Sequence, residues 1–218
     1  MTSTSITAPA AAEPVKPRAS DAFVSYVLAL CATKRVQADL RTGLGQPVDR
    51  CNYLHRYLVR RLPERQHPDA RRAHYAVAAL IAARPRAARD QAAQDTDTTN
   101  TRPGTPEWFR RANLGASLAQ AVNSGIIKPD SAEGDLHLFT RQSSDALHQR
   151  LPALTRHLQS GGIALDWAVL LEDLTWWDRD RDRVATRWLE GYFRTLTHDD
   201  TDTDTRPGAG EMINEENN

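Results

Sequence analysis

Apolar residues recur every three or four positions through most of the chain, which is the period of α-helices that bury one face. A series of leucines at positions 147, 151, 154 and 158 shows this spacing most clearly. No segment keeps the alternation of apolar and polar residues that is typical of a half-buried strand. The pattern predicts an all-α protein with eight or nine helices and no significant sheet.

The predicted helices form two groups, and each group should pack as a small helical bundle. The first group lies in residues 20–85 and the second in residues 107–197. The expected helices span about 20–31, 33–42, 49–62 and 68–84, then 107–123, 130–140, 144–160, 166–178 and 180–197. Pro152 lies inside the helix expected at 144–160, where it predicts a kink or the start of a new helix.

Three segments contain few side chains that could be buried. Residues 1–19 are rich in Ser, Thr, Ala and Pro, residues 86–106 carry an Asp-Thr repetition, and similar text returns near residue 200. We expect a disordered arm at 1–19, a flexible linker at 86–106 and a disordered acidic tail at 198–218.

The charge is unevenly distributed, although Lys and Arg total 28 and Asp and Glu total 28. Residues 195–218 hold seven acidic residues and one Arg, so residues 1–194 carry a net charge of +6. Within them, residues 21–94 hold thirteen basic and six acidic residues, a difference of +7. This segment is a candidate anion-binding surface.

Several cations are expected on the sides of their helices that face away from the apolar residues. At 100° per residue, Lys34 and Arg41 share one outward face, Arg56 and Arg60 share another, and Arg156 lies opposite the leucine series. Each cation alone is also compatible with an ordinary solvated helix face. Several of them directed into one groove would instead bind successive phosphates.

No catalytic or cofactor-binding motif is present. The sequence lacks the glycine-rich phosphate-binding patterns and the His-Glu-x-x-His pattern of zinc hydrolases. Residues 178–182 alternate Asp and Arg like the start of a calcium loop, but Arg183 and Leu189 occupy the positions that require Gly and Glu. We therefore expect no cofactor, no metal and no enzyme activity.

The remaining features predict a cytoplasmic protein. Cys31 and Cys51 are twenty residues apart without a His at zinc-finger spacing, so they are expected to be reduced thiols. The longest apolar run, residues 76–83, is far shorter than the roughly 20 residues of a membrane span. No secretory signal pattern is seen near the first residue.

The tryptophans are predicted to serve mainly in packing. Trp167, Trp177 and Trp188 fall on apolar stripes and are expected in the core. Trp176 falls off the stripe, which leaves it either a second helix contact or an anchor for a partner.

One stretch of the second half is characteristic of a known family. Residues 165–167 (Leu-Asp-Trp), Leu170 and residues 174–177 (Leu-Thr-Trp-Trp), preceded by residues 156–158 (Arg-His-Leu), resemble the small subunit (CasB type) of the type I-E CRISPR Cascade surveillance complex. The resemblance extends to residues 113–119 and 39–45 and covers about 20–85 and 107–197.

The resemblance implies a non-catalytic, all-helical subunit present in two copies, which contacts the backbone and large subunits of the complex. Such subunits brace the crRNA and the target-strand duplex and hold the displaced non-target DNA strand, which stabilises the R-loop in antiviral defence. By position, Arg41, Arg56 and Arg156 resemble the strand-contacting residues of the family. Further candidates for nucleic-acid binding are Lys34, Arg35, Arg60, Arg111 and Arg150.

Two alternatives to this function remain open at the level of sequence. The first is a helical adaptor that binds only protein, with its arginines serving solubility. The second is a hydrolase whose site is assembled from distant His and acidic residues.

One position departs from the family pattern. Ala116 stands where relatives often carry a basic residue, so a contact with nucleic acid is not expected there.

Overall fold

A computed structural model describes residues 18–85 and 108–203, with side chains described as far as residue 196. These residues form nine α-helices and no strand, which confirms the all-α prediction. The helices are α1 (Ala19–Leu30), α2 (Lys34–Arg41), α3 (His55–Leu58), α4 (Pro68–Ala82), α5 (Leu114–Asn123), α6 (Pro129–Thr140), α7 (Ser144–Ser160), α8 (Trp167–Trp176) and α9 (Arg181–Thr203). The predicted arm, linker and tail lie largely outside the described residues.

Helix starts follow from side chains that cap free backbone N–H groups. The Asp166 carboxylate accepts hydrogen bonds from the N–H groups of Ala168 and Val169 at 3.1 and 3.0 Å and so starts α8. The Asn113 side chain accepts from the N–H of Ala116 at 3.0 Å. The helix expected to begin at residue 107 therefore begins at Leu114, after a separate 3-10 turn at Trp108–Arg110.

The single helix predicted at 49–62 is wrong, because this segment forms several short turns around a four-residue helix. Two 3-10 turns (Val48–Arg50 and Asn52–Leu54) precede α3 and a third (Val59–Arg61) follows it. The His55 ring nitrogen Nδ1 lies 2.9 Å from the carbonyl of Cys51, whose backbone (φ −97°, ψ 41°) departs from helical geometry. Leu62 adopts an extended conformation because it precedes Pro63.

Pro152 lies inside α7 but does not start a new helix, since α7 is assigned continuously from Ser144 to Ser160. Proline lacks the N–H that would bond to the carbonyl of His148. The His148 carbonyl faces the turn at Gly45, which has φ +67°. A Cβ at Gly45 would lie 4.0 Å from the carbonyl oxygen of His148. The N-terminal half therefore contacts α7 where its hydrogen-bond ladder is interrupted.

The two predicted bundles share one buried core. Helix α4 packs along α8, α1 contacts both of them, and α5 packs along α9. The rings of Trp177 and Trp188 are both fully buried, with centroids 4.8 Å apart, and Trp167 is 7% exposed, as predicted. Trp176 is 44% exposed, and the Arg179 guanidinium lies 4.2 Å from its ring centroid.

The contact between α5 and α9 leaves no room for a side chain at Gly115. A Cβ there would lie 1.8 Å from the backbone carbonyl oxygen of Trp188. The Asn113 side chain also donates a hydrogen bond to the carbonyl of Arg187 at 2.8 Å. Glycine thus allows the two helix backbones to touch.

Gly115→Ala is expected to lower the free energy of unfolding by about 3 kcal/mol or more, because backbone atoms cannot move away as a flexible side chain would. Gly134→Ala is the matched control, since a Cβ at this exposed helical position meets nothing within 4 Å. It should leave the fold intact and stabilise it by about 0.5–1 kcal/mol. Urea denaturation measures both, and equal stabilities would contradict the close contact.

His148 is a buried, neutral side chain between α4 and α7. Its Nδ1 lies 2.8 Å from the carbonyl of Ser144, and its Nε2 has no partner among the described residues. Burial lowers the pKa of His148 to about 4, and nearby Arg72 acts in the same direction. Asp145, which pairs with Arg72, and Asp178 act weakly in the opposite direction.

Because the pKa of His148 is lower in the folded state than its ordinary value of 6.5, protonation favours unfolding. We expect the contribution of this residue to be complete above pH 6.5 and to be lost progressively as the pH falls towards 4, by roughly 3 kcal/mol in total. His148→Asn keeps a donor for Ser144 and removes the titration. Stability curves of both proteins from pH 7 to 4 check this, and parallel curves would contradict it.

Candidate nucleic-acid interface

Seven of the eight cations predicted to bind nucleic acid are exposed. They are Lys34, Arg35, Arg41, Arg56, Arg60, Arg150 and Arg156. None of the seven forms an ion pair with another residue in the described part of the chain. Among the described residues, therefore, no acidic side chain in direct contact neutralises their charges.

Hydrogen bonds of Tyr57 link helix α2 to helix α3, and both helices carry predicted cations. The Tyr57 hydroxyl donates to Oδ2 of Asp39 on α2 at 2.6 Å, and the Tyr26 hydroxyl donates to the carbonyl of Tyr57 at 2.6 Å. The hydrogen bond to Asp39 raises the pKa of Tyr57, whereas the positive charges of Arg56 and Arg35 act to lower it. Both guanidinium groups thus lie near the same phenol, and α2 and α3 present their cations together.

The turn after α2 extends this surface to α7. The carbonyl of Arg41 accepts a hydrogen bond from the N–H of Leu44 at 3.3 Å. One residue further, a Cβ at Gly45 would lie 3.9 Å from the Cα of Gln149. The segment that begins at Arg41 therefore touches α7 immediately before Arg150.

Helix α7 contributes cations on its solvent side. Arg150 lines a surface groove of about 620 Å³ between α6 and α7, together with Lys128 and His157. The groove also has apolar walls, including Ile126 and Phe139. Arg156 is exposed one residue before His157. The seven cations thus lie on three contacting parts of the fold: α2, residues 48–61 around α3 (the α3 region) and α7. We call these seven side chains the cationic face.

Sequence reasoning missed three positive or titratable side chains near this face. The Arg61 guanidinium lies 4.6 Å from the ring centroid of Tyr26, the tyrosine that bonds to Tyr57. Lys128 and His157 line the groove beside Arg150. The one sequence feature that indicates His157 is its position directly after Arg156. Lys128 lies between helices, so helical periodicity does not predict which way it faces.

Arg111, the eighth predicted cation, serves the fold and is a correction to the predicted set. Its guanidinium donates to both carboxylate oxygens of Asp166 at 2.6 and 2.7 Å and to those of Asp21 at 2.8 and 3.0 Å. Its side chain is only 13% exposed. Burial acts to lower the pKa of Arg111, but the bonds to the two carboxylates outweigh it and raise the pKa. These donors are therefore already used within the protein.

Comparison with known proteins identifies the family. Residues 36–193 match the family model described as CRISPR-associated protein Cse2. The chain belongs to this family. Of the seven cations on the cationic face, the matched region includes all except Lys34 and Arg35, which lie just before it.

Solved structures agree with this membership. A chain of a structure described as a CRISPR RNA-guided surveillance complex is 36% identical, with 85% of this chain and 97% of that chain covered and a TM-score of 0.72. A chain of a pre-nicking state of such a complex is 37% identical, with the same coverage and a TM-score of 0.73. The crystal structure of M. ruber CasB shares the fold, at 24% identity, 85% and 98% coverage and a TM-score of 0.69. No curated protein sequence matches significantly.

Two further observations concern the described residues alone. No group of three or more His, Cys, Asp or Glu side chains lies in a position to hold a metal ion. None of the helices in this part of the chain combines the length and the apolar composition of a membrane span.

Arg111→Ala and Arg156→Ala should separate cations that hold the fold from cations that face solvent. Loss of Arg111 leaves two partly buried carboxylates without their partner, which should cost about 2–4 kcal/mol. Loss of exposed Arg156 should change stability by less than about 0.5 kcal/mol. Thermal unfolding of both variants tests this assignment, and a stable Arg111→Ala protein would contradict it.

Proposed function

We propose that this chain is a small subunit of a type I-E CRISPR RNA-guided surveillance complex and that its cationic face binds sugar-phosphate backbones. In this role it braces the crRNA and the target-strand duplex and holds the displaced non-target strand, which stabilises the R-loop during antiviral defence. Family membership and near-complete coverage of two chains from such complexes support the assembly. The observation that carries the binding role is the set of seven exposed cations on three contacting parts of the fold, none of which pairs with an acidic side chain of the described residues.

The proposed mechanism is electrostatic. Formation of an R-loop exchanges one duplex for another of similar stability, so modest protein contacts to the strands shift the equilibrium. Arginine and lysine contacts to phosphates position a strand without reading its bases. Sequence recognition is then left to base pairing with the guide RNA. A single copy binds weakly, and the contacts gain strength when the assembly presents several together.

We infer that the subunit is non-catalytic and works in the cytoplasm with other members of the complex. The cationic face supplies charge and hydrogen-bond donors, and six of its seven side chains are arginines, which stay protonated and serve as neither nucleophile nor general base. The proposed partners are the backbone and large subunits, a second copy of this chain, the crRNA and the two DNA strands.

Removing Arg41, Arg56 and Arg156 together is expected to weaken retention of the R-loop by the assembled complex. Each lost phosphate contact lowers the dependence of log affinity on log salt by about 0.7 on single strands or about 0.9 on duplex DNA. Three contacts should therefore lower that slope by about 2 to 3. Binding of a labelled target at several salt concentrations measures both quantities.

The matched control removes three exposed arginines from α9. Arg181, Arg183 and Arg194 have side-chain exposures of 47%, 72% and 77%, and each lies within 3.7 Å of an acidic side chain. This triple Ala variant carries the same charge change and should retain the R-loop. Equal retention by both variants, with normal assembly, would favour the alternative of a protein-binding adaptor that does not contact nucleic acid.

A further inference from the structure

Phe109 lies at the edge of a groove. None of the seven cations of the cationic face lines this groove. Its side chain is 90% exposed, the highest value among the exposed large hydrophobic residues of the described chain. It sits in the 3-10 turn at Trp108–Arg110 and lines a groove of about 570 Å³ together with α5 and α9. An exposed aromatic side chain at a groove is typical of a site that another chain segment covers.

The groove is built on rigid parts of the fold. The guanidinium groups of Arg18 and Arg111 lie 4.2 and 4.9 Å from the ring centroid of Trp108 and hold it in place. The opposite wall is α9, whose backbone touches α5 at Gly115. The shape of the groove is therefore set before anything binds there.

Four arginines and Glu190 line the groove, but Arg111 and Arg187 already pair with acidic side chains inside the fold, whereas Arg194 has an exposed guanidinium at the rim. Arg194 is 77% exposed and lies 3.7 Å from Glu190, which is 58% exposed. A surface pair of this kind is weak, so an incoming carboxylate can share the guanidinium. The groove thus suits a peptide with apolar side chains flanked by acidic ones.

The chain itself contains such a peptide beyond the end of α9. Residues 211–216 read Glu-Met-Ile-Asn-Glu-Glu, in which Met212 and Ile213 are flanked by three carboxylates. Helix α9 ends at Thr203, about 12 Å beyond Thr195 at the rim of the groove. The nine residues 204–212 can extend about 30 Å, which is enough to return along α9 to Phe109.

We propose that residues 211–216 bind in the groove beside Phe109 of the same molecule. Met212 and Ile213 cover the Phe109 ring, and the flanking glutamates lie near Arg194. A tethered segment has an effective concentration in the millimolar range, so weak contacts suffice to keep it bound. The interaction covers an aromatic surface that is separate from the cationic face.

Photo-crosslinking in the full chain tests this placement. With the photo-reactive analogue benzoylphenylalanine at position 109, irradiation should join this position to residues 211–216 within one molecule, as identified by mass spectrometry. The same analogue at Tyr53, which is 64% exposed, should not crosslink to this segment. Crosslinks from position 109 to a second molecule, to residues 86–107 or to nothing would overturn the proposal.

Two double variants distinguish apolar contact from charge. Met212→Asp/Ile213→Asp should abolish the intramolecular crosslink, whereas Asn217→Asp/Asn218→Asp adds the same charge and should retain it. Loss of the crosslink in both variants, or in neither, would contradict the proposed contact of Met212 and Ile213 with Phe109.

A peptide added in trans gives an independent measurement. A labelled peptide of residues 207–218 should bind the Met212→Asp/Ile213→Asp chain roughly tenfold more tightly than the unaltered chain, because its tethered competitor is lost. Adding Phe109→Ala should remove this binding, whereas adding Tyr53→Ala should not. Equal affinities for the altered and unaltered chains would overturn the proposal.

Discussion

The contact of α4 with α8 brings the two halves of the chain together, because both helices bury apolar side chains in a core that neither half completes alone. Two other features act at the same boundary. Arg111 binds Asp21 on α1 and the Asp166 cap of α8, and Gly45 rests against α7. Since hydrophobic burial is non-directional, these polar and steric contacts determine how the halves are oriented. The orientation also places the turn that follows Arg41 against α7, immediately before Arg150.

Arginines in this fold divide according to their surroundings. Arg72, Arg111 and Arg187 lie beside acidic side chains, and for Arg111 the bonds to Asp166 and Asp21 outweigh its desolvation. The seven cations of the cationic face remain hydrated and lack acidic partners in the described residues, so a phosphate backbone can bind them without displacing an internal ion pair. This division explains how a chain with no net charge can present a locally positive surface. The surface around Phe109 differs again, since it combines an exposed aromatic ring with arginine and glutamate side chains.

Helical periodicity predicted the fold class, most helix positions in the second half and the buried tryptophans, because these depend on residues three or four positions apart. It failed at residues 49–62, where His55 bonds to the Cys51 carbonyl and Pro63 ends the helical geometry. The choice of Arg111, which came from the family resemblance, was wrong because its partners are 90 and 55 residues away in sequence. Helix faces correctly gave the exposure of five cations, Lys34, Arg41, Arg56, Arg60 and Arg156. The packing of α2 against the segment around α3 depends on contacts such as Tyr57 with Asp39, which no local pattern encodes.

The most direct test of the central claim is a structure of the assembled complex, containing this chain, guide RNA and target DNA. The account predicts that phosphate groups of one continuous strand lie within hydrogen-bonding distance of cations from the α2 and α3 region and from α7 in the same copy. If other protein subunits cover these side chains, or if they point into bulk solvent while the strands run elsewhere, the account is contradicted.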